Sequence, residues 1–483
     1  MQTTDPDPSP PLTLVLDQGS NSSRLGVFSS SGQLIHLDSI ELSTHSPAAN
    51  QYEQDAGEIL GSLQTLLQRL PRTMAGKISA AGLCTQRSTL VAWHRFSGEA
   101  LSPAISWRDL RGHEQVDSLK ASAPLVRGIS GLPLSAHYSA SKIHWLLQHN
   151  SRVQQAANEG QLCIAPLASF LLFHLLNEKP CVIDHSNAQR SQLFDIQMLQ
   201  WSDTLLELFG IDPPVLPDCK PVIDHYGTLK GGDIPLLAVC GDQNAALHAC
   251  PQLEPNGALV NIGTGAFILS PLGEASDGPE PRLLRTIAHS HPRTVKYITE
   301  GTVNGAGAAL SWAEKSDPCG PLFQQLPDWL EQTDSPPLFI NTIAGLGSPW
   351  WCDGGPAEFI GTPAPTRAER YTAIIESIVF LIFNNLQQLE SLPRQIFISG
   401  GLSRLDGLCQ KLANLSQARI LRFNDPEASA RGCAWLARQY STQGALACQL
   451  KDFSAGFDCR PDSALISRFQ LFSKELQKRC NRG

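Results

Sequence analysis

One plan occurs twice in this chain: an apolar run, a short loop of glycine and small polar residues, then a second apolar run. The first copy is Leu14-Val15-Leu16-Asp17-Gln18-Gly19-Ser20-Asn21-Ser22-Ser23-Arg24-Leu25-Gly26-Val27-Phe28. The second is Ala258-Leu259-Val260-Asn261-Ile262-Gly263-Thr264-Gly265-Ala266-Phe267-Ile268-Leu269-Ser270. Apolar segments flanking a glycine-bearing polar turn predict a strand pair. Its recurrence predicts an internal duplication, with one such hairpin in each of two domains. The length agrees, because 483 residues exceed what a single hydrophobic core organises.

The rest of the pattern is that of an α/β chain. After the first hairpin, residues 33–37 extend it into a meander, and Asp55 caps a helix whose stripe is Ile59, Leu63, Leu66 and Leu70, ended by Pro71. Strands are predicted near 77–84, 90–93 and 103–107, and helices near 139–148, 165–177 and 201–208. Leu236–Cys240 reads as a strand running through Gly241 and Asp242 into an alanine-rich helix start. Later come a glycine-entered helix near 306–312, a long one near 367–390, a strand at 395–399 ending in Gly400-Gly401, and a helix over 425–436. Residues 446–483 read as a less regular appendage. The domain boundaries expected are 12–247 and 248–445, followed by a C-terminal extension, 446–483.

Composition excludes several classes. With 37 Lys and Arg against 45 Asp and Glu the formal charge is −8, and no basic run tracks a nucleic-acid backbone. The acidic, proline-rich start lacks the basic and apolar regions of a secretory signal, and no apolar run is long enough to span a bilayer. The expectation is a cytoplasmic protein that binds neither membrane nor nucleic acid. The 13 cysteines are dispersed, with no Cys-x-x-Cys pair, and read as free thiols; His248 and Cys250 lack the second ligand pair of a zinc site.

The glycine loops at 17–24, 263–265 and 400–401 each follow an apolar strand-like segment. Exposed backbone N–H groups and short hydroxyls suit a polyanion, so the predicted ligand is a polyphosphate. Neither a Gly-x-x-x-x-Gly-Lys-Ser/Thr loop nor a Gly-x-Gly-x-x-Gly helix start is present. Asp17, at a strand end, can hold magnesium beside a triphosphate, with Arg24 countering phosphate charge or forming a structural ion pair. Asp242 suits a base that orients an attacking hydroxyl; the alternative is a helix N-cap. Arg87, Asp109 and Gln243 offer donors and acceptors to hydroxyls, and Trp107 an apolar wall. A buried Arg87–Asp109 ion pair, a core Trp107, and His137 with Tyr138 in a packed loop are the competing structural readings.

These segments resemble the FGGY carbohydrate kinases over roughly residues 12–445. Asp17-Gln18-Gly19-Ser20-Asn21-Ser22-Ser23-Arg24 is similar to the family's Asp-Gln-Gly-Thr-Thr-Ser-Ser-Arg phosphate loop, and Gly241-Asp242-Gln243-Asn244-Ala245-Ala246 to its Gly-Asp-Gln-Gln-Ala-Ala. Thr85-Gln86-Arg87-Ser88-Thr89 resembles Asn-Gln-Arg-Glu-Thr, with Ser88 where the family has an acid; Trp107-Arg108-Asp109 resembles Trp-Gln-Asp; and His137 falls where the family has a tyrosine. The resemblance implies a duplicated actin-like, ribonuclease-H-like ATPase fold, its two domains flanking a deep cleft. It implies ATP and Mg2+ as cofactors, Asp242 as catalytic base and magnesium-side acid with Asp17, and acceptor contacts from Arg87, Ser88, Trp107, Asp109, His137 and Gln243. Nucleotide contacts fall to Gly19, Ser20, Asn21, Ser22, Arg24, Gly263, Thr264, Gly265, Gly307, Gly400 and Gly401, with Leu405 at the position of an adenine-side asparagine. The implied acceptor is glycerol or a related small polyol; a pentulose or other sugar, a nucleotide-binding regulator and a simple ATPase are the alternatives. A homodimer is a further implication of the family.

Overall fold

The computed structural model describes residues 11–249, 253, 257–272, 282–318, 320–361, 364–424, 427–440 and 453–480. The chain forms two units. The first comprises Met1–Pro251, Thr286–Tyr297 and Ser429–Cys448, and the second Gln252–Arg285, Ile298–Ala428 and Gln449–Gly483.

In the first unit the predicted hairpin forms from strands Leu12–Gln18 and Ser22–Phe28, which pair antiparallel with Asp17 opposite Arg24. Leu34–Glu41 adds to the outer side of the hairpin. Ile78–Thr85 and Pro235–Gly241 continue the sheet in parallel on the other side, and Ile223–Thr228 closes it antiparallel. Parallel strands are covered on both faces, which explains why Leu12–Gln18 and Pro235–Gly241 read as nearly continuous apolar runs. Helix Ala56–Arg69 packs Ile59, Leu63 and Leu66 on one face, its start capped by Asp55, whose carboxylate accepts from Gly57 N and Glu58 N. On the other face helix Ala428–Tyr440 contributes Ala430, Cys433 and Ala434 to a cluster with Val15 and Cys84.

The second unit repeats the order. Gly257–Ile262 and Ala266–Pro271 form the hairpin, and Ile298–Val303 of strand Thr294–Val303 pairs outside it. Gln395–Ser399 and Arg419–Phe423 run parallel, and Phe453–Phe457 closes the edge antiparallel. The duplication seen in the two loops thus extends to a six-strand order with the same directions. Helix Arg367–Leu386, opened by a Thr366–Glu369 capping box, fills the core with Ile374, Ile378, Leu381 and Ile382.

The described part of 446–483 is not irregular. Strand Phe453–Phe457 is followed by helix Ser463–Cys480, which buries Leu465, Phe469, Phe472 and Leu476. Their spacing is helical, but Arg468, Lys474, Glu475, Lys478 and Arg479 intervene along the same segment, which hid the stripe. No described helix is long and apolar enough to cross a membrane. Cys250 lies outside the described residues, and among these no group of three or more His, Cys, Asp or Glu side chains is arranged to hold a metal ion.

Candidate active site

Three parallel strands of the first unit end in polar residues. Cys84 sits between Asp17 on one neighbouring strand and Cys240 on the other, so Asp17 and Asp242 emerge near strand ends two places apart. At about 4.8 Å per strand their backbones are on the order of 10 Å apart. Asp17 is only 7% exposed. Its Oδ1 accepts from the Cys84 thiol at 3.3 Å, and Arg24 Nη1 lies 3.9 Å from Oδ2. Burial pushes the Cys84 thiol well above its ordinary pKa, and the neighbouring Asp17 charge acts in the same direction, so Cys84 remains a donor.

Asp242 is the first residue of a short helix whose N-cap is Gly241. The N-cap reading of Asp242 is therefore corrected: the cap position is Gly241, and Asp242 Oδ1 accepts from the adjacent Gln243 N at 2.7 Å. Arg87 reaches it instead, Nε lying 3.6 Å from Oδ1, while Arg87 Nη1 donates to Asn244 Oδ1 at 3.1 Å. Gly241 is required here, because a Cβ would lie 2.7 Å from Arg87 Cγ and Cδ. The helix behind is fixed by a second close approach, a Cβ on Gly432 meeting Ala245 O at 1.8 Å.

The alternative of an Arg87–Asp109 ion pair does not form. Asp109 is fully buried, with both oxygens committed: Oδ1 accepts from Arg111 N and Nε, and Oδ2 from Arg111 Nη2 and Tyr52 N. Arg111 supplies the cation that makes burial of this carboxylate tolerable. Ser88, also fully buried, has φ 63° and donates to Arg190 O at 3.3 Å. Trp107 and His137 are half-buried, while Gln243 and Arg87 are buried, each 8% exposed.

The loop Gly19–Ser22 and the Trp107 wall are joined. Gly19 N donates to Ser22 O at 3.0 Å, closing the hairpin turn, and Asn21 is exposed at its tip. Trp107 Nε1 donates to Ser20 Oγ at 2.8 Å, and Ser20 donates to Gln86 Oε1 at 3.2 Å. Gln86 Nε2 in turn donates to Gln54 Oε1 and Gln18 Oε1. This glutamine cluster went unread in the sequence because amides at strand ends carry no periodic signal; only their buried convergence reveals it.

Lys142 was also missed. It lies fully buried on helix Ser139–His149, and Nζ donates to Ser106 O at 2.9 Å and His137 O at 2.8 Å. It thereby ties the Trp107 segment to the His137 segment. Burial draws its pKa down to about 7, Asp109 acting in the opposite direction. Half-buried His137 stands 5.5 Å from the Trp107 ring and 5.0 Å from that of Tyr138. Burial first, then Lys142, Arg190 and Arg87, hold its imidazole well below the usual histidine range, so it is neutral near pH 7.

In the second unit the glycine loops converge. Thr264 is exposed at the hairpin end, and Gly263 N donates to Gly265 O at 2.8 Å. Helix Gly307–Ser316 starts against this turn, with Gly307 N and Ala308 N donating to Gly263 O and Thr264 O. Gly400, at φ 87°, passes so near that a Cβ would meet Ile262 O at 2.5 Å. Gly401 follows it with open space around the place of its missing Cβ. Leu405 differs from its expected nucleotide role: it is 3% exposed and packed in the unit's core.

The comparisons with known proteins agree with this arrangement. The N-terminal domain of the FGGY family of carbohydrate kinases matches residues 12–247 and its C-terminal domain residues 258–438. A glycerol kinase from Brucella ovis is 31% identical over 473 residues, covering 94% of both chains. Among solved structures, Plasmodium falciparum glycerol kinase with ADP superposes with TM-score 0.84 at 24% identity, covering 98% of each chain. Gluconate kinase from Lactobacillus acidophilus gives 0.83 at 19%, again covering 98% of each. The fold is the duplicated actin-like, ribonuclease-H-like one. With both domains matched in order and strand-end residues where the family motifs fall, this chain belongs to the FGGY family of carbohydrate kinases.

Proposed function

We propose that the chain transfers the γ-phosphoryl group of ATP to a hydroxyl of glycerol or a related small polyol, with Asp242 as base. One observation carries this reading: Trp107, the wall offered to an acceptor, donates directly to Ser20 of the loop offered to phosphate. Acceptor and phosphate recognition are thus one connected construction in the first unit. Arg87, Trp107, His137 and Gln243 contact the acceptor in this reading. Ser88 and Asp109 stand behind them, Asp109 holding Arg111 and the Tyr52 backbone in place.

Asp242 accepts the proton of the attacking hydroxyl, and Arg87, with Nε 3.6 Å from Oδ1, holds the carboxylate in place. Asp17 and Asp242 fit a magnesium ion, which is typically bound through one or two carboxylates, water and phosphate oxygens rather than by an all-protein cage. Magnesium, when bound, neutralises charge developing on the phosphates. In the second unit Gly263, Thr264, Gly265 and Gly307 offer the nucleotide phosphates a turn set against a helix start.

The test is ADP release, coupled to a reporter, over glycerol, erythritol, xylulose, ribulose and gluconate. The expected result is turnover that depends on an acceptor in the panel and on magnesium. ATP binding without turnover on any acceptor would replace this reading with that of a regulator.

A further inference from the structure

The resemblance puts the nucleotide base beside Gly400 and Gly401, with Leu405 at the position of an asparagine. Leu405 precedes helix Asp406–Ser416 as an N-cap with no side-chain bond to it. Buried among apolar neighbours, it offers a base edge neither donor nor acceptor.

The residue before it has the opposite character. Arg404 ends the short turn Gly401–Arg404, is exposed, and lines a cavity of about 190 Å3 together with Gly400, Ser403, Arg422, Asn424 and Ser454. That volume is below the roughly 300–1,000 Å3 of drug-sized sites, in scale with one ring system. The two arginines differ in their commitments. Arg422 donates to Asp406 Oδ1 at 2.6 Å, to Ser403 O at 3.1 Å and to Ser454 Oγ at 3.1 Å, and its guanidinium lies 5.5 Å from the Phe457 ring centre. The Arg404 guanidinium has no hydrogen bond or ion pair to a described residue. The cavity thus holds one committed cation and one planar, available one, beside a glycine pair that leaves the backbone bare.

We propose that Arg404 recognises the nucleotide base by its face, so that the donor site takes purine nucleotides with a 6-amino or a 6-oxo group alike. The proposal rests on the nucleotide-dependent reading above and specifies its donor. A guanidinium is flat, always charged and weakly hydrated, and it stacks on aromatic faces. Adenine, guanine and hypoxanthine differ at their hydrogen-bonding edges but share that face. With leucine in the asparagine's place, the edge goes unread here. A single-ring pyrimidine offers less overlap and binds more weakly.

Equilibrium dialysis of the full chain in magnesium with ADP, GDP, IDP and CDP tests this. ADP, GDP and IDP are expected to agree within about threefold, with CDP roughly tenfold weaker. Arg404→Ala is expected to weaken the three purine nucleotides alike, by about three- to tenfold, and Arg404→Tyr, which keeps a stacking plane, to restore them. Three results would overturn it: GDP and IDP binding over about thirtyfold weaker than ADP, an Arg404→Ala variant with unchanged affinities, or rescue by Arg404→Lys but not by Tyr. Purine binding without phosphorylation of any acceptor would end the kinase reading and leave this one standing. Failure of every nucleotide to bind would end both.

Discussion

At the scale of single residues, two side chains carry separable burdens. Asp242→Asn keeps the shape of the strand end but removes the base. Acceptor phosphorylation is expected to fall by about 10²–10⁴-fold with ADP affinity little changed, measured by steady-state turnover and dialysis; near-parental turnover would remove Asp242 from the mechanism. Lys142 is predicted to act through pH. Its folded pKa of about 7 lies below its ordinary 10.5, so the folded protein binds fewer protons than the unfolded chain between those values. Stability from this group therefore rises with pH across that window and sits at its lower level below pH 7. Urea unfolding should show the parent gaining about 1–2 kcal/mol over Lys142→Met between pH 7 and pH 9. The variant should also raise KM for the acceptor more than it lowers kcat, since Lys142 ties down the Trp107 and His137 segments without touching the reaction. Asp17 and Asp242 were legible in the sequence because an acid beside a glycine at a strand end is costly without a purpose, and Arg87 because it sits in a polar loop between two apolar strands. Lys142 and Gln54 were not, because their partners are backbone atoms or residues far along the chain.

At the scale of elements, backbone approach explains the glycines better than loop freedom does. Gly400→Ala would place a methyl 2.5 Å from Ile262 O at a positive φ, and is expected to cost about 2–3 kcal/mol in denaturant unfolding together with weakened ADP binding. An unchanged midpoint would show that the turn can move aside. The C-terminal helix makes a parallel claim. Phe472 is fully buried against Phe380, so Phe472→Ala is expected to destabilise the protein by about 3–5 kcal/mol, whereas a dispensable appendage would lose nothing. Strands and helices with dense apolar patterning were readable within a few residues. Helix Ser463–Cys480 was not, because its buried residues are diluted by charge, and neither was strand Glu53–Gln54, whose two residues are too short to show any period.

At the scale of the molecule, the repeated hairpin proved the most informative feature, since both sheets share one order over six strands, the second sheet having a seventh. Membership of the FGGY family follows from the match over both domains, but the acceptor does not, because Ser88 and His137 stand where the family motifs place an acid and a tyrosine. Which hydroxyl compound fits depends on a few side-chain tips around Arg87 and Trp107. The central claim is that phosphate leaves ATP for a carbon-bound hydroxyl, and phosphorus NMR of a mixture of protein, magnesium, ATP and glycerol or another acceptor follows that atom directly. The account predicts a phosphomonoester signal growing in equal amount with ADP. Inorganic phosphate in its place, or an unchanged ATP spectrum with every acceptor, would contradict it.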